Sequence, residues 1–458
     1  MISHRLPKYF GTDGVRGIAN KELSCEVAFT LGMAAVEILG PRLVIGRDTR
    51  RSGPMLEAAL VAGITAAGGD ALLAGIIPTP AIALLTREFK AGGGVVISAS
   101  HNPPEYNGIK FFDAEGFKLA QDVEDAFEAR LQKAQDNNWS EAAQHTPIGA
   151  EVGTVVALTD ANERYIAHAT DIVRSQNISL AGLSVAVDCG HGASFYTTPE
   201  TLRRLGATVV AINTDFDGND INVGCGSTNL EQLKKLVCET GADVGIAHDG
   251  DADRLIAVDE TGDELDGDVI EAICAVDLKE QGRLAHDTVV STVLCNLGFI
   301  SAMKLRGIEV IQTAVGDSHV LAAMRAGDFV IGGEQSGHMI FLEHNSTGDG
   351  LTTALQLLMT MRRTGKTLKS LAQVMTRYPQ VLINVKVVDK AGVASSAALS
   401  RAVKETEARL GTRGRVLLRP SGTEPLVRVM VEAADEQTAY DEARQLVAIV
   451  EQELGATA

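Results

Sequence analysis

The chain has 458 residues, of which 45% are hydrophobic and 22% charged, a composition ordinary for a globular protein and one that excludes wholesale disorder. Such a length predicts about three or four domains and excludes a single small binding module. Lysine and arginine number 41 against 59 aspartates and glutamates, which gives a net charge of −18. We therefore expect no nucleic-acid partner and no membrane partner, and an anionic ligand needs a local basic pocket.

The cysteines and the most apolar segment predict a cytoplasmic protein. The 6 cysteines are scattered, without a C-x-x-C pair or the spacing of a zinc finger, which is typical of reduced thiols. No apolar stretch of the kind that export requires follows the basic residues at the start. The segment 58–85 is interrupted by Asp70, Pro78 and Pro80, so it cannot be one membrane-spanning helix.

The first part of the chain alternates short apolar runs with amphipathic stretches, a pattern that predicts an α/β domain. The predicted elements are strand 43–45, helix 54–67, strand 71–77, helix 81–89 and strand 95–97. Polar residues at 135–140 and the stretch 149–154 predict a linker. We place the first domain boundary near residue 153.

Two further blocks repeat this pattern. The second block has predicted strands at 183–187, 208–212 and 243–247 and a helix at 199–205, and it ends near residue 255. The third has helices at 269–278 and from Gly298, with strands at 288–292, 309–312 and 329–332, and it ends near residue 370. Both predict α/β domains.

The last block differs in the order of its elements. A strand at 381–388, a helix at 394–410, two strands and a helix at 436–454 predict a smaller α+β domain. The predicted fold class is therefore α/β, with three similar domains that contain mixed sheets and a smaller C-terminal α+β domain. The predicted domains are 1–153, 154–255, 256–370 and 371–458.

The first chemically informative segment, the serine loop (residues 98–104), follows the predicted strand 95–97. It carries Ser100 and His101, and Lys110 follows shortly afterwards. Ligands of open α/β sheets bind at the carboxyl ends of strands, so these side chains are candidates for catalysis. The alternative is an ordinary proline-stiffened turn in which the serines satisfy backbone groups and His101 has no role.

The second segment, the metal loop (residues 249–254), also follows an apolar strand. Asp249, Asp251 and Asp253 alternate, and such carboxylates can bind one hard divalent cation. With no histidine or cysteine among them, Mg²⁺ is favoured over zinc. An EF-hand is disfavoured because Arg254 occupies the sixth position, where that loop needs glycine. A solvated acidic turn is the alternative.

The third segment, the sugar loop (residues 332–338), carries Glu334, Ser336 and His338 at alternating positions. An extended backbone would direct all three side chains to the same side, where they could bind vicinal sugar hydroxyls. The alternative is a glycine-rich turn with a capping glutamate.

The fourth segment, the phosphate loop (residues 419–425), is closely followed by Arg428. Arg419, Ser421, Gly422 and Thr423 combine a guanidinium, two hydroxyls and a glycine backbone. With Arg428 they form a nest suited to a phosphate dianion, whereas a plain hairpin turn is the alternative.

Two other loops add positive charge near predicted strands. One is the glycine-rich stretch 10–17, which carries Arg16. The other is the cluster of Arg47, Asp48 and Arg50, in which the aspartate can hold an arginine in place. Neither loop is specific for a function when taken alone.

The four loops belong to four different predicted domains, which predicts that these domains surround a central cleft. Together the loops offer a serine nucleophile, a metal site, a site for hydroxyl groups and a site for a phosphate. Phosphoryl transfer requires alignment of the attacking and leaving oxygens and neutralisation of charge. A cation held by three carboxylates meets the second requirement.

These loops resemble those of the α-D-phosphohexomutase superfamily, and the resemblance covers essentially the whole chain. The matching residues are 98–103, 249–254, 333–338 and 419–423. The resemblance implies that Ser100 is a phosphoserine and that Asp249, Asp251 and Asp253 bind one Mg²⁺ together with a phosphoseryl oxygen. It also implies that Glu334, Ser336, His338 and Arg254 bind the sugar. The phosphate-binding residues would be Arg419, Ser421, Gly422, Thr423 and Arg428.

Within the superfamily, the stretch 10–17 and Gln335 resemble the branch that acts on glucosamine phosphates. That branch implies interconversion of glucosamine 6-phosphate and glucosamine 1-phosphate through glucosamine 1,6-bisphosphate, for amino-sugar nucleotides and cell-wall precursors. The alternatives are the mannose- and glucose-phosphate branch, a magnesium-dependent sugar phosphatase and a non-catalytic sensor. Lys110, His101 and Arg16 are unranked candidates for proton transfer or charge stabilisation. The expected partner is a small hexosamine phosphate, and a homodimer is one option for the assembly.

Overall fold

The computed structural model describes residues 9–11, 13–139, 147–421 and 425–455. It divides into two compact units. The larger consists of Met1–Leu294 and Glu309–Gln373, and the smaller of Cys295–Ile308 and Val374–Ala458. Among the described residues, we find no helix with the length and hydrophobicity that a bilayer crossing requires.

The first sheet of the larger unit has seven strands. They are β1 (Phe10–Gly11), β2 (Gly14–Ile18), β3 (Arg42–Arg47), β4 (Asp70–Ile76), β5 (Gly93–Ile97), β6 (Tyr106–Phe112) and β7 (Val155–Ala157). Their order is β1-β2-β6-β5-β3-β4-β7, with parallel pairing around β3 and antiparallel pairing around β6. The associated helices are α1 (Cys25–Leu39), α2 (Gly53–Ala66), α3 (Thr79–Glu88) and α4 (Gln121–Asp136).

The first sheet is mixed, as predicted, and extends further along the chain than expected. β7 pairs with β4 beyond the predicted boundary at residue 153, because the chain returns to the sheet edge after the linker. Helix α4 also continues to Asp136, into the segment predicted as linker. All five residues of β5 are buried, which agrees with a strand covered on both faces. We call this part of the chain the first domain.

The second sheet has five strands in the order β12-β11-β10-β8-β9. They are β8 (Ser184–Asp188), β9 (Thr208–Ile212), β10 (Val244–Ala247), β11 (Ile256–Asp259) and β12 (Glu264–Leu265). The helices are α5 (Ala161–Arg174), α6 (Thr197–Arg204) and α7 (Glu231–Thr240). Because β11 runs back antiparallel to β10, this second domain continues past the predicted boundary at residue 255, and the metal loop joins the two strands.

The third sheet has four strands in the order β14-β13-β15-β16. They are β13 (Thr288–Thr292), β14 (Glu309–Thr313), β15 (Ile331–Gly333) and β16 (Met339–Phe341). The helices of this part of the chain are α8 (Gly267–Glu280), α9 (Leu297–Leu305), α10 (Asp317–Ala326), α11 (Gly350–Thr364) and α12 (Leu368–Ala372). We call the region of this sheet the third domain, although α9 falls in the smaller unit.

The smaller unit contains an antiparallel sheet in the order β17-β19-β18. Its strands are β17 (Gln380–Lys386), β18 (Arg415–Pro420) and β19 (Leu426–Glu432), and its helices besides α9 are α13 (Ala397–Leu410) and α14 (Glu436–Leu454). Helix α13 begins later than predicted because the Ser396 side chain caps it by accepting from the Leu399 N–H. Alternate valines of β19 are buried against α14. This order of elements is the predicted α+β arrangement.

Candidate active site

The serine loop follows β5 and holds Ser100 in an uncommon backbone conformation. Ser100 is buried and has a φ of 53°, in the left-handed region that non-glycine residues seldom adopt. Its N–H donates to Ser98 Oγ at 2.9 Å, and the Ser98 hydroxyl donates to Asp48 Oδ2 at 2.6 Å. The loop is therefore fixed by side chains of the first domain, and strain of this kind is concentrated at functional sites.

Arg50 holds the backbone of the serine loop. Its guanidinium is fully buried, and Nε donates to Asp48 Oδ2 at 2.9 Å. Its remaining side-chain donors reach backbone carbonyls of the serine loop and of the residue that begins β6: Ser100 (2.9 Å), Asn102 (2.8 Å), Pro103 (2.5 Å) and Tyr106 (3.0 Å). As expected for this cluster, Asp48 keeps the arginine in place. Arg50 is thus a structural support of Ser100.

The second domain brings the metal loop and a further support to the same place. Asn222 Nδ2 donates to the carbonyls of Ser100 and Asn102 at 2.9 and 3.2 Å. A Cβ at Gly250 would lie only 2.7 Å from the Ser100 carbonyl oxygen. Glycine at this position therefore permits the close approach of the metal loop to the serine loop.

The three aspartates of the metal loop converge beside Ser100. All three are buried, and one carboxylate oxygen of each lies within 4.8 Å of those of the others. Ser100 Oγ donates to Asp249 Oδ2 at 2.5 Å. Burial, together with Asp253 and Asp251, raises the pKa of Asp249 well above its ordinary value.

The free oxygens of this group suit a divalent cation. Asp251 Oδ1 and Asp253 Oδ1 are buried and accept no hydrogen bond within the described part of the chain. An unpaired buried carboxylate oxygen is costly, and a hard cation with oxygen ligands would satisfy both. The residues present therefore fit a metal site.

Lys110 lies against the same carboxylates. Its Nζ is 2.8 Å from Asp251 Oδ2, 2.8 Å from Asp13 Oδ2 and 3.9 Å from Asp253 Oδ2. Burial alone would lower the pKa of Lys110, but these three carboxylates raise it above its ordinary value. Of the two roles considered, the geometry favours charge stabilisation over proton acceptance, because a base at neutral pH needs a lowered pKa.

His101 and Arg16 complete the surroundings of Ser100. His101 Nδ1 lies 3.3 Å from Ser100 Oγ. Burial, Arg254 and Arg16 lower the pKa of His101 to about 4, so its imidazole is neutral at pH 7. Arg16 pairs with Asp13 through Nη2. His101 therefore lies within reach of Ser100 Oγ in its neutral form.

The sugar loop is a tight turn between β15 and β16, so the expected extended backbone is wrong. The Gly337 N–H donates to the Glu334 carbonyl at 2.9 Å, and Gly337 has a φ of 87°. A Cβ at Gly337 would lie 2.1 Å from the Leu255 carbonyl oxygen, so glycine permits both the turn and its contact with the second domain. The loop is a glycine-rich turn, the alternative that the sequence left open.

The polar side chains of the sugar loop nevertheless lie beside the metal loop. The hydroxyl of Ser336 donates to Glu334 Oε2 at 3.4 Å. His338 Nδ1 is 3.5 Å from Asp253 Oδ2, and its backbone forms a bridge with Arg254. The guanidinium Nε of Arg254 is 3.7 Å from Asp253 Oδ1. The loop therefore meets the metal loop through charged groups.

The His338 and Asp253 side chains stabilise each other in their charged forms. Burial alone would lower the pKa of His338, but Asp253 and Asp317 raise it to about 9. Burial alone would raise the pKa of Asp253, whereas His338, Lys110 and Arg254 lower it. Both groups are therefore ionised at neutral pH.

The phosphate loop lies in the smaller unit and brings two arginines together. Arg419 and Arg428 are directly opposite each other on β18 and β19. Burial and the neighbouring Arg428 lower the pKa of Arg419, as expected of two cations that face each other. Lys390 Nζ donates to the Ser421 carbonyl at 2.9 Å. Gly422 and Thr423 lie outside the described residues.

Several side chains at these sites were not selected from the sequence. Asp13 lies in the stretch that was considered for Arg16, but its lysine partners, Lys110 and Lys118, are distant in sequence. Thr79 Oγ1 donates to Asp251 Oδ2 at 2.7 Å, and no local pattern marks it. Asn222 and Asp317 likewise lack a local signal, because their partners are distant in sequence.

Comparisons with known proteins match the chain to one family of domains. Models of the phosphoglucomutase/phosphomannomutase domains match four segments: domain I at 7–138, domain II at 163–262, domain III at 266–378 and the C-terminal domain at 382–449. These matches confirm the predicted four-domain fold class.

Curated relatives and solved structures cover nearly the whole chain. The chain is 50% identical to a phosphoglucosamine mutase of Frankia alni, over 97% of this chain and 98% of that protein. It is 53% identical to one of Desulforudis audaxviator, over 96% and 97%. A phosphoglucomutase/phosphomannomutase family protein of Burkholderia thailandensis superimposes with a TM-score of 0.81 at 25% identity, over 97% of this chain and 98% of that one.

A more distant structure has the same fold. It is the N-acetylphosphoglucosamine mutase of Aspergillus fumigatus in complex with GlcNAc-6P and magnesium, with a TM-score of 0.70 at 19% identity, over 98% of this chain and 96% of that one. At this identity the likeness concerns the fold alone. From the four domain matches and the close relatives, we conclude that the chain belongs to the phosphoglucomutase/phosphomannomutase family, within the α-D-phosphohexomutase superfamily, and is an isomerase.

Proposed function

We propose that this protein interconverts glucosamine 6-phosphate and glucosamine 1-phosphate through a phosphoserine at Ser100 and glucosamine 1,6-bisphosphate. The observation that carries the proposal is the contact of 2.5 Å between Ser100 Oγ and Asp249 Oδ2, within a group of three buried aspartates. The choice of sugar is supported by about 50% sequence identity to curated phosphoglucosamine mutases along almost the entire chain.

Asp249, Asp251 and Asp253 would hold a divalent cation, and their all-oxygen ligand set favours Mg²⁺. When bound, the cation supplies neutralisation of negative charge on the transferring phosphoryl group. Lys110 adds a fixed positive charge at the same point, since its ammonium is buried among carboxylates that keep it protonated. Arg16 is proposed to act in the same way.

In the first transfer, a bond forms between the phosphorus and a sugar hydroxyl oxygen, and the bond between the phosphorus and Ser100 Oγ breaks. The proton that the hydroxyl loses is the one that Ser100 Oγ gains, so the step balances when one group relays it. His101, whose Nδ1 is 3.3 Å from Ser100 Oγ, is placed to accept that proton and pass it to the serine. A phosphoserine dianion beside His101 raises its pKa from the low value of the unphosphorylated protein and so favours this role. The second transfer reverses these changes.

Between the two transfers the bisphosphate turns end for end. We propose that Glu334, Ser336, His338 and Arg254 bind the ring hydroxyls in both orientations. Arg419, Ser421, Gly422, Thr423 and Arg428 are proposed to bind the phosphate that is not being transferred. The paired guanidiniums of Arg419 and Arg428 repel each other, which favours an anion between them.

The test replaces Ser100 by alanine and measures both products after addition of glucosamine 6-phosphate. We expect Ser100→Ala to lose sugar 1-phosphate formation and incorporation of phosphate together, while the exposed Ser395→Ala serves as the control. A variant that keeps most of its mutase rate would contradict the covalent scheme. Release of free phosphate by the unmodified protein would indicate the phosphatase alternative, and the absence of both products would indicate a sensor.

The sugar assignment has its own test. We expect kcat/KM to be higher for glucosamine phosphate than for glucose or mannose phosphate when the matching bisphosphate is supplied. One side chain in the sugar loop changes such discrimination by about 1–3 kcal/mol. A preference for mannose phosphate would assign the protein to the alternative branch. We further propose a cytoplasmic location and a homodimer, which fractionation and light scattering test.

A further inference from the structure

The turn that follows β6, residues 113–118, makes a connection to the third domain, and we call it the docking turn. The turn is held by hydrogen bonds among its own residues. Asp113 Oδ1 accepts the N–H groups of Glu115 and Phe117 at 3.0 and 2.8 Å. Gly116 adopts a φ of 76°, and Phe112 forms a bridge with Lys118. The directions of Phe117 and Lys118 are therefore set within the first domain.

Phe117 packs into the third domain. Its ring contacts the hydrophobic cluster that includes Val320 and Met324 of α10. The guanidinium of Arg325, also on α10, lies 4.2 Å from the centre of that ring. Ser346 Oγ donates to the Gly116 carbonyl at 2.5 Å. The docking turn is thus anchored on α10 by an apolar contact and a cation–π contact.

Lys118 extends this anchor to the first residue of α10. Its Nζ is 2.6 Å from Asp13 Oδ1 and 2.5 Å from Asp317 Oδ2. The side chain is largely buried. Burial alone would lower the pKa of Lys118, but the two carboxylates raise it above its ordinary value. One ammonium therefore joins a carboxylate of the first domain to a carboxylate of the third.

The beginning of α10 in turn holds the sugar loop. The N–H of Gly316 donates to Glu334 Oε1 at 3.2 Å. Asp317 Oδ2, which accepts the Lys118 contact, is also 3.3 Å from His338 Nε2. A shift of the start of α10 would therefore move two of the side chains that we propose bind the sugar.

From these contacts we infer that Lys118 is a positioning residue that sets the sugar loop against the serine and metal loops. The inference rests on the proposed function. It predicts that binding of the sugar phosphate depends on Lys118, whereas phosphorylation of Ser100 and binding of the cation do not. Neither Asp13 nor Asp317 belongs to the proposed metal ligands. Asp13 also contacts Lys110, but Lys110 has its own contacts with Asp251 and Asp253, so we expect loss of the Lys118 bridge to act chiefly on the sugar side of the site.

The experiment measures mutase kinetics of Lys118→Met, Asp317→Asn and the double variant in the full chain. Lys235→Met is the matched control, because that lysine is exposed and pairs only with Glu239 among the ion pairs of the described residues. We expect kcat/KM to fall up to about 100-fold, mainly through KM, because displacement of a binding group by about 1 Å has effects of this size. Lys118→Arg should recover much of the loss, since it keeps the charge.

The double variant and two direct measurements decide the interpretation. We expect the double variant to lose less than the product of the two single losses, because both changes break one bridge, although Asp317→Asn also weakens the contact with His338. Phosphoserine content by mass spectrometry should equal that of the unmodified protein. Hydrogen exchange of the amides at 316–338 should be faster in Lys118→Met, which is a readout that does not require mutase activity.

The inference would be overturned by Lys118→Met kinetics equal to those of Lys235→Met, by losses that multiply in the double variant, or by unchanged hydrogen exchange at 316–338. If Lys118→Met does not fold, Lys118→Gln, which also removes the charge but keeps a polar end, decides by the same criteria. Failure of the unmodified protein to form glucosamine 1-phosphate would instead refute the proposed function, and the exchange measurement would still test the bridge.

Discussion

Replacement of Arg50 by lysine tests whether the support of the serine loop is as strong as its geometry indicates. The five side-chain hydrogen bonds of Arg50 go to Asp48 and to four backbone carbonyls. Lysine has three donors, so at least two of these bonds are lost. At about 1.5–3 kcal/mol for each bond to a charged group, the loss is about 3–6 kcal/mol, a large part of the stability of an ordinary domain.

The assay combines urea denaturation with mutase turnover for Arg50→Lys and for Arg47→Lys. Arg47 is the last residue of β3, three residues before Arg50, but its contact with Glu57 is partly exposed, so its replacement should cost about 1 kcal/mol or less. We expect Arg50→Lys to lower the denaturation midpoint and kcat together, because the left-handed Ser100 loses its backbone support. Equal behaviour of the two variants would refute the reasoning.

Three further predictions concern the charged groups. Asp251→Ala should lower turnover at least about 100-fold and weaken its magnesium dependence, because a bound cation supplies several kcal/mol; turnover that survives exhaustive chelation would contradict the metal assignment. Arg428→Met should raise KM about tenfold or more with little change in phosphoserine content, as expected for loss of a charge-assisted contact; an unchanged KM would count against a phosphate site. Because the pKa of His338 is raised to about 9, its contribution to stability is present below pH 6.5 and is lost as the pH rises through 9. In cation-free protein the urea concentration at the denaturation midpoint should therefore decrease as the pH is raised from 7 to 9.5, and it should decrease less in His338→Gln. An equal decrease in both proteins would contradict this.

Most of the strands and the four loops were predictable because each follows from a local pattern, whereas helices such as α1, α5 and α11 were not predicted. The apolar runs gave the strands, and the loops after β5 and β10 carry their polar residues at strand ends. The shape of the sugar loop was not predictable, since alternating polar residues fit an extended chain and a turn equally well. Its outcome depends on Gly337, whose contact with Leu255 arises only in the folded protein.

Several features that were not predicted from the sequence depend on contacts between distant segments. Ser100 is supported by Arg50 and Asn222, which lie far from it in the sequence. The bridge from Lys118 to Asp317 also joins distant residues, and no local sequence pattern indicates either contact. The predicted boundary at 153 was placed at a polar stretch, and the one at 255 shortly after the predicted strand 243–247. The sheets instead take up the strands that come after those boundaries, because β7 and β11 complete their edges.

The contact between Lys110 and Asp251 has a consequence for handling of the protein. Three carboxylates so close together would repel one another strongly, yet the lysine acts as a built-in counter-ion for them. Protein stripped of divalent ions by a chelator should thus keep its native structure. A zinc finger differs, because metal binding supplies its free energy of folding. Loading and unloading of the site is then a reversible exchange, which a simple titration of the stripped enzyme can follow.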